Sequence, residues 1–434
     1  MVPKYTIGIV GLWHLGEVYS ACLAEIGHTV IGLDLDKKVI DNLKKNIPPL
    51  AEPKLAELLE KNKKQGRLSF TTDFSKIEDC DVVWLTFDVP VDENDVADAS
   101  SVLGAMEKLA QFLKRDVTIA VSSQIPVGTS RSLIDLVHKL RPDLAFGYFY
   151  SPENLRLGEG VRCFMEQERI VVGADSEKAL AVARGIFSPL KAKIMSMIPA
   201  SAEMAKHALN AWLATSIGFA NDLADVCERV GADVEDVIRS LKSEPRIGQK
   251  AYLFAGLGFA GWSIARDLKA LLAAAEDEHI DLPVISGAYL KNRSRTKIVV
   301  ERLTTLLGDM RGKTIALYGV TYKAGTPTLK HSQALEIEKE LRDAGANLRL
   351  YDPLASPEEV ATLTPSPFFR DPYEAATGAD IVVIPVPDGR LKDMDFKKLA
   401  GLVRSRRLFD AQNILITKEP DIRTAGFEYS SIGR

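Results

Sequence analysis

Lys206 and Asn210 stand four residues apart in a stretch of helical periodicity, so an ammonium and an amide share one helix face and can aim at one oxygen. Such a pair stabilises a developing alkoxide; a solvated helix face presents the same two residues with no chemistry attached. Near the N-terminus, Gly11-Leu12-Trp13-His14-Leu15-Gly16 follows an apolar run and precedes an amphipathic segment. That is the order of strand, glycine turn and helix in which main-chain amides at a helix N-terminus hold a phosphate. Gly11 and Gly16 fit, whereas Trp13 fills the middle place, where a glycine normally makes room for a pyrophosphate. Two outcomes are open: Trp13 turns outward and the loop still takes a dinucleotide, or the cofactor is displaced or absent. A tight turn with no ligand accounts for the glycines equally well. Asp34 closes the second strand-like run at the place of a ribose ligand; its carboxylate suits two hydroxyls and repels a 2′-phosphate, which favours NAD over NADP.

The elements that must position these residues follow from periodicity. Apolar runs at 5–10, 28–34, 81–87, 117–121, 145–150 and 169–172 read as strands separated by helical stretches, an α/β alternation. From residue 201 to about 304 the pattern is helical, with alanine-rich faces at Ala208, Ala211, Ala214 and Ala220. A second α/β pattern begins at Gly312, with strands expected at 313–318, 348–351, 380–385 and 407–410. The fold expected is α/β, two Rossmann-like doubly wound lobes joined by a central helical domain, with boundaries at 1–200, 201–304 and 305–434.

With 434 residues, 46% of them apolar and 26% charged, the chain has enough core for two to three domains. A formal net charge of −4 gives no basic field for nucleic acid or an anionic membrane. The four cysteines, Cys22, Cys80, Cys163 and Cys227, are scattered, without the spacing of a disulfide framework or a zinc site, so no metal is expected. Residues 1–5 run directly into the first strand with no export signal, and no apolar run reaches the ~18 residues of a membrane span. The cytoplasm is the expected compartment, with no membrane partner.

Further motifs recur along nearly the whole chain. Leu50-Ala51-Glu52-Pro53-Lys54-Leu55, Pro126-Val127-Gly128-Thr129, Ser151-Pro152-Glu153-Asn154-Leu155-Arg156-Leu157-Gly158 and Arg169-Ile170-Val171-Val172-Gly173 are followed by a helix with Glu203, Lys206, Asn210, Asn221 and Asp222. Then come Arg246-Ile247-Gly248, the glycine-rich Gly256-Leu257-Gly258-Phe259-Ala260-Gly261-Trp262-Ser263-Ile264-Ala265-Arg266-Asp267, Gly319-Val320-Thr321-Tyr322-Lys323 and Tyr351-Asp352-Pro353. In this order they resemble the UDP-glucose/GDP-mannose 6-dehydrogenase family. The resemblance implies NAD in the first lobe, a nucleotide sugar held mainly by the third, and a homodimer built on the central helices. It places Lys206, Asn210, Asp267, Glu153 and the position of Ser263 in catalysis. It gives Gly11, Leu12, Trp13, Gly16, Asp34, Gln124 and Lys330 to the cofactor. Substrate contacts fall to Glu153, Leu155, Arg156, Lys206, Asn210, Arg246, Gly258, Phe259 and Lys323.

The chain also departs from the family pattern. Ser263 stands where the family has its catalytic cysteine, and a serine hydroxyl has no low pKa. Leu157 replaces a glutamate, Gln124 a threonine, Ala265-Arg266 a proline-lysine pair, and Lys330 an arginine. These losses fall on trapping and hydrolysis; Glu153, Lys206, Asn210 and Asp267 remain for alcohol oxidation. Three outcomes are open: NAD-dependent oxidation of the C6 alcohol with the cysteine-dependent second oxidation impaired or absent; a retained-NAD enzyme of epimerase or lyase type with no net redox change; and a catalytically silent ligand-binding paralogue. Cys163 as a substitute nucleophile is disfavoured, and His207 is expected packed or exposed. The pair Trp13-His14 is a candidate for closing over the pyrophosphate, and Trp262 for narrowing the sugar pocket.

Overall fold

The structure is a computed structural model that describes residues 3–87, 89, 98–261 and 263–434. It divides into two compact units, residues 1–208 and 209–434, the division falling within one long helix, Pro199–Val230.

In the first unit eight strands form a single sheet: β1 (Thr6–Val10), β2 (Thr29–Leu33), β3 (Leu68–Thr71), β4 (Val82–Leu85), β5 (Thr118–Val121), β6 (Gly147–Tyr150), β7 (Arg169–Ala174) and β8 (Lys193–Met197). Their order is β3-β2-β1-β4-β5-β6-β7-β8, parallel throughout except where β7 runs antiparallel to β6. β4 reads Val-Val-Trp-Leu and is wholly buried, as a strand covered on both faces requires. The first six strands take the doubly wound order 3-2-1-4-5-6, whose switch point, between β1 and β4, opens a crevice at the strands' carboxyl ends. Gly11 leaves β1 there with φ +91°, and a Cβ on it would stand 2.8 Å from the Phe87 ring. The helix α1 (His14–Glu25) follows, and Gly16 lets it lie against the turn: a Cβ there would fall 1.8 Å from the Gly11 carbonyl oxygen.

The second unit carries helices Ser263–Asp277 and Pro283–Leu307 beside the rest of the long one, then a six-stranded parallel sheet. Its strands are β9 (Thr314–Tyr318), β10 (Asn347–Tyr351), β11 (Phe368–Phe369), β12 (Ile381–Ile384), β13 (Arg407–Asp410) and β14 (Glu428–Ser431), in the order β11-β10-β9-β12-β13-β14. This is again 3-2-1-4-5-6. The architecture is thus α/β with two Rossmann-like sheets and a central helical region. Gly319 repeats the role of Gly11, with φ +106° and a Cβ position 2.5 Å from Val386. Two charged rungs link the helices: Asp225 on the long helix takes Arg295 Nη1 at 2.8 Å and Lys291 Nζ at 2.6 Å.

Asp352, just past β10, fastens the second sheet's turns. Its Oδ2 accepts from the Val320 and Thr321 amides and the Thr321 hydroxyl at 3.0–3.1 Å, and its Oδ1 from the Leu354 and Ala355 amides at 2.9 and 3.0 Å. Removing the acceptor strands buried donors. We expect Asp352→Ala to cost roughly 3 kcal/mol of unfolding free energy, read from the urea midpoint; a loss below about 1 kcal/mol would show that the turns hold without it.

Candidate active site

The cofactor turn is built from main-chain groups. The Gly11 amide donates to Leu33 O at 3.0 Å, and the Leu12 amide to Asp34 Oδ2 at 2.8 Å. Asp34 Oδ1 accepts from the Asp36 amide at 2.9 Å. Each oxygen keeps lone-pair capacity beyond these bonds, which is what a ribose diol needs. Trp13, the cap of α1, is in extended conformation with half of its surface exposed. A cavity of about 500 Å³ opens at the carboxyl ends of β1 and β2, lined by Gly11, Asp34, Phe74, Phe87, Phe112 and Lys108 among others. Aromatic walls with a carboxylate at one side suit an adenosine. Gln124 is buried just past β5, beside Ser123, whose buried hydroxyl has no hydrogen-bond partner among the described residues. Lys330 is an exposed residue of the second unit.

Three residues before the lysine, Glu203 on the long helix is wholly buried. It accepts from the Gly128 and Ser130 amides, each at 2.7 Å, and from the Ser130 hydroxyl at 2.6 Å. A carboxylate thereby closes the N-terminus of the Thr129–Leu140 helix, where the helix dipole favours an anion. Lys206 is directed at residue 153: its Nζ donates to Glu153 O at 2.7 Å and lies 3.6 Å from Glu153 Oε1. Glu153 Oε2 accepts from the Leu155 amide at 2.7 Å, shaping the turn. Leu155 packs on the first unit's core, and Arg156 is exposed beside Glu159. His207 is buried, its Nε2 2.9 Å from Ile125 O. His14 does not face the dinucleotide turn; its Nε2 lies 2.7 Å from Glu52 Oε1.

In the second unit, Asn210 Nδ2 donates to Asp267 Oδ2, and Asp267 is wholly buried. Ser263 is exposed and begins the helix that carries Asp267 one turn later. A thiolate at a helix N-terminus is stabilised by the amide dipoles, whereas a serine hydroxyl there stays protonated. The glycine-rich loop before it is clamped through its main chain. Asn221 Oδ1 takes the Gly256 amide at 2.9 Å, Arg295 Nε donates to Gly256 O at 2.9 Å, and Gln333 Nε2 donates to Leu257 O at 2.8 Å. Asn292 holds both sides of Phe259, accepting from its amide at 2.7 Å and donating to its carbonyl at 2.9 Å. Gly258 (φ +89°) is required: a Cβ there would fall 2.1 Å from Asn292 Oδ1. Asn292, Arg295 and Gln333 are absent from the sequence expectations; Asn292 and Arg295 stand in the polar run 291–297, Lys-Asn-Arg-Ser-Arg-Thr-Lys, which reads as a solvated helix face. Arg246 is exposed, its Nε 2.8 Å from Glu244, and Lys323 is half-buried with Nζ 5.5 Å from the Tyr322 ring centre. Trp262 lies outside the described residues.

Burial pushes the thiols of Cys22 and Cys80 up, Cys80 to about 12, so neither supplies a thiolate at neutral pH. Among the described residues no group of three or more His, Cys, Asp or Glu side chains is placed to hold a metal ion, and no helix is long and apolar enough to cross a membrane.

Three family models match in chain order. Residues 5–191 match the NAD binding domain of the UDP-glucose/GDP-mannose dehydrogenase family, residues 200–294 its central domain, and residues 316–417 its UDP binding domain. The chain is 34% identical over 431 residues to the UDP-glucose 6-dehydrogenase TuaD of Bacillus subtilis (strain 168), covering 99% of this chain and 93% of that protein. It is 33% identical over 436 residues to the UDP-glucose 6-dehydrogenase of Rhizobium meliloti (strain 1021), covering 99% of each. A UDP-glucose dehydrogenase structure from Pyrobaculum islandicum shares the fold, with a TM-score of 0.89 at 24% identity over 100% of this chain and 98% of that one.

One residue of the cofactor helix carries an electrostatic consequence of its own. Glu17, in the first turn of α1, is wholly buried; its Oε1 accepts from the Leu50 amide at 3.3 Å, and its Oε2 has no hydrogen-bond partner among the described residues. Burial, with the nearby Glu52 charge adding, pushes its carboxyl up to about 9. It is therefore neutral at physiological pH and adds no negative charge where a pyrophosphate would bind. In the unfolded chain it ionises near its ordinary value of 4.5. Between those values the folded protein retains a proton that the unfolded one releases, so stability falls as pH rises. We expect Glu17→Gln to raise Tm by several degrees relative to wild type at pH 8 and by much less at pH 4. Equal shifts at both pH values in thermal melts would contradict the assignment.

Proposed function

Because the chain belongs to the UDP-glucose/GDP-mannose dehydrogenase family, we propose that it oxidises the C6 alcohol of a UDP-linked or related nucleotide sugar and lacks the thiol-dependent second oxidation. NAD, when bound, would accept the hydride; the residues of the first unit's dinucleotide turn fit it, through the amides of Trp13 and His14 at the start of α1, the spare capacity of Asp34 and the aromatic cavity beside them. The observation that carries the reading is the pairing of Lys206 with Glu153 and of Asn210 with Asp267, beside a serine at the nucleophile's place.

Lys206 and Asn210 are one turn apart on the same helix, so a substrate hydroxyl presented to both meets a cation and an amide dipole, which lower the cost of the developing alkoxide. Asp267, already bonded to Asn210, takes the hydroxyl proton directly or through water. The hydroxyl proton would thus pass to the Asp267 carboxylate while bound NAD would take the hydride, leaving the aldehyde. Trapping that aldehyde for a second hydride transfer calls for a nucleophile ionised near neutral pH. Ser263 is not one, and the helix N-terminus that would sustain a thiolate does not sustain an alkoxide.

The domain reading at 1–200, 201–304 and 305–434 and the cytoplasmic location are retained as part of this proposal. The same holds for a homodimer. At 3.6 residues per turn, Glu203, Lys206, Asn210 and Asn221 fall within roughly 60° of the long helix's circumference, and Trp212, Phe219 and Val226 lie roughly 140–180° away. Those three side chains are 68%, 48% and 57% exposed, at intervals of seven residues, a seam suited to a second copy of this helix.

Purified protein with NAD and a panel of nucleotide sugars, followed by NADH absorbance and mass spectrometry, tests the reaction. One NADH per sugar with an aldehyde or its hydrate is expected. A uronic acid with two NADH contradicts the impaired second step, a changed sugar without NADH indicates a returned hydride, and binding without turnover indicates a silent paralogue. Lys206→Ala is expected to lower kcat about 100- to 1,000-fold; unchanged turnover would remove Lys206 from the site. In light scattering, wild type is expected at twice the chain mass and Trp212→Glu at the monomer mass; a dimer that survives the charge places the interface elsewhere.

A further inference from the structure

His14 heads the cofactor helix, yet its ring is turned onto Glu52, whose side chain is wholly buried. Three donors converge on that one carboxylate: His14 Nε2 at 2.7 Å and the Gly158 amide at 2.8 Å on Oε1, and the Gly160 amide at 2.9 Å on Oε2. Gly160 is packed hard against this group; a Cβ there would stand 3.2–3.3 Å from Val18, Glu52 and His14. The segment that ends at Gly160 begins at Glu153, whose carbonyl oxygen receives the Lys206 ammonium at 2.7 Å. One stretch of eight residues is therefore fastened at one end to the candidate catalytic lysine and at the other, through Glu52, to the residue that begins α1.

We propose that His14 and Glu52 are positioning residues that latch the segment 153–160 to the N-terminus of α1, so that a dinucleotide seated there fixes the placement of Glu153 and, through it, of the Lys206 ammonium. The inference rests on the cofactor assignment above. The physical chain is short. A pyrophosphate held by the first-turn amides of α1 orders the His14 main chain. The His14 side chain then holds Glu52, and Glu52 holds two amides of the segment. The glycine amides alone would serve to satisfy the acid, so the histidine's contribution is the tie to the cofactor turn.

Arg156 lies inside the segment with its side chain 72% exposed, which makes trypsin cleavage after it a direct reporter of the segment's opening. Cleavage is timed with and without saturating NAD, and NAD binding is followed separately by tryptophan fluorescence. In wild type, NAD is expected to slow cleavage after Arg156 about tenfold, as closure of a locally opening segment would. His14→Gln, whose side-chain amide can still donate to Glu52, is expected to keep that protection. His14→Ala is expected to lose it, with less than about a twofold effect of NAD, while still binding NAD and melting within a few degrees of wild type. Cleavage indifferent to bound NAD in wild type, or full protection in His14→Ala, would overturn the latch. Failure of wild type to bind NAD at all would instead overturn the cofactor assignment.

Discussion

The chemistry proposed for this chain depends on the buried polar residues of the Pro199–Val230 helix. Four of its residues each complete a bond that a loop cannot make alone. Glu203 closes the N-terminus of another helix, Lys206 meets Glu153, Asn210 meets Asp267, and Asn221 takes the amide of Gly256. Within each unit the helix fixes the spacing of its own pair, Glu203 with Lys206 and Asn210 with Asn221, to within side-chain freedom. Glu203 and Asn221 are all but fully buried, so the energetic cost of leaving any of their partners unpaired keeps the loops in place. Loops that carry functional groups are held by their main chains, which leaves their side chains available.

The two sheets repeat one strand order and one device, yet differ where it matters for ligands. In both, a glycine with positive φ leaves the first strand, and an aspartate past the second strand bonds the amide that follows that glycine. Asp34 accepts one main-chain bond on each oxygen, whereas Asp352 accepts five in all. The first acid keeps capacity for a ribose; the second is consumed in holding its own turns. The same fold thereby supplies a dinucleotide site in one unit and a structurally braced loop set in the other.

Much of this was legible in the sequence because it is local. Buried parallel strands read as apolar runs, and ten of the strands fall where such runs stand; Gly11, Gly16 and Asp34 announce a turn by type and spacing. The strands that were missed are the ones whose pattern is weak: β3 and β8, the latter at the sheet edge with mixed exposure, the two-residue β11, and the polar Glu-Tyr-Ser-Ser of β14. The reversal of β7 against β6 leaves no mark on the residues themselves. The family motifs single out Lys206, Asn210 and Asp267 for the proposed site, but not what holds them. Asn292 and Arg295 act on a loop more than 30 residues away, and Glu52 on glycines more than 100 away. A carboxylate's long-range partners do not appear in its neighbourhood, so the roles of Glu52 and His14 emerge only from the fold. Glu17 is the sharpest case: a glutamate in the first turn of a helix reads as solvated, and packing has buried it.

What separates this chain from a four-electron dehydrogenase is, on this account, concentrated at Ser263, an exposed first residue of a helix whose amides would steady a thiolate. Leu157 and Gln124 stand at two further departures. Substituting the serine by a thiol tests the account most directly. NADH formed per nucleotide sugar is counted for Ser263→Cys beside wild type under the same conditions, with the product identified by mass. A second NADH and a uronic acid are expected from the variant only. A count that the substitution leaves unchanged contradicts this reading.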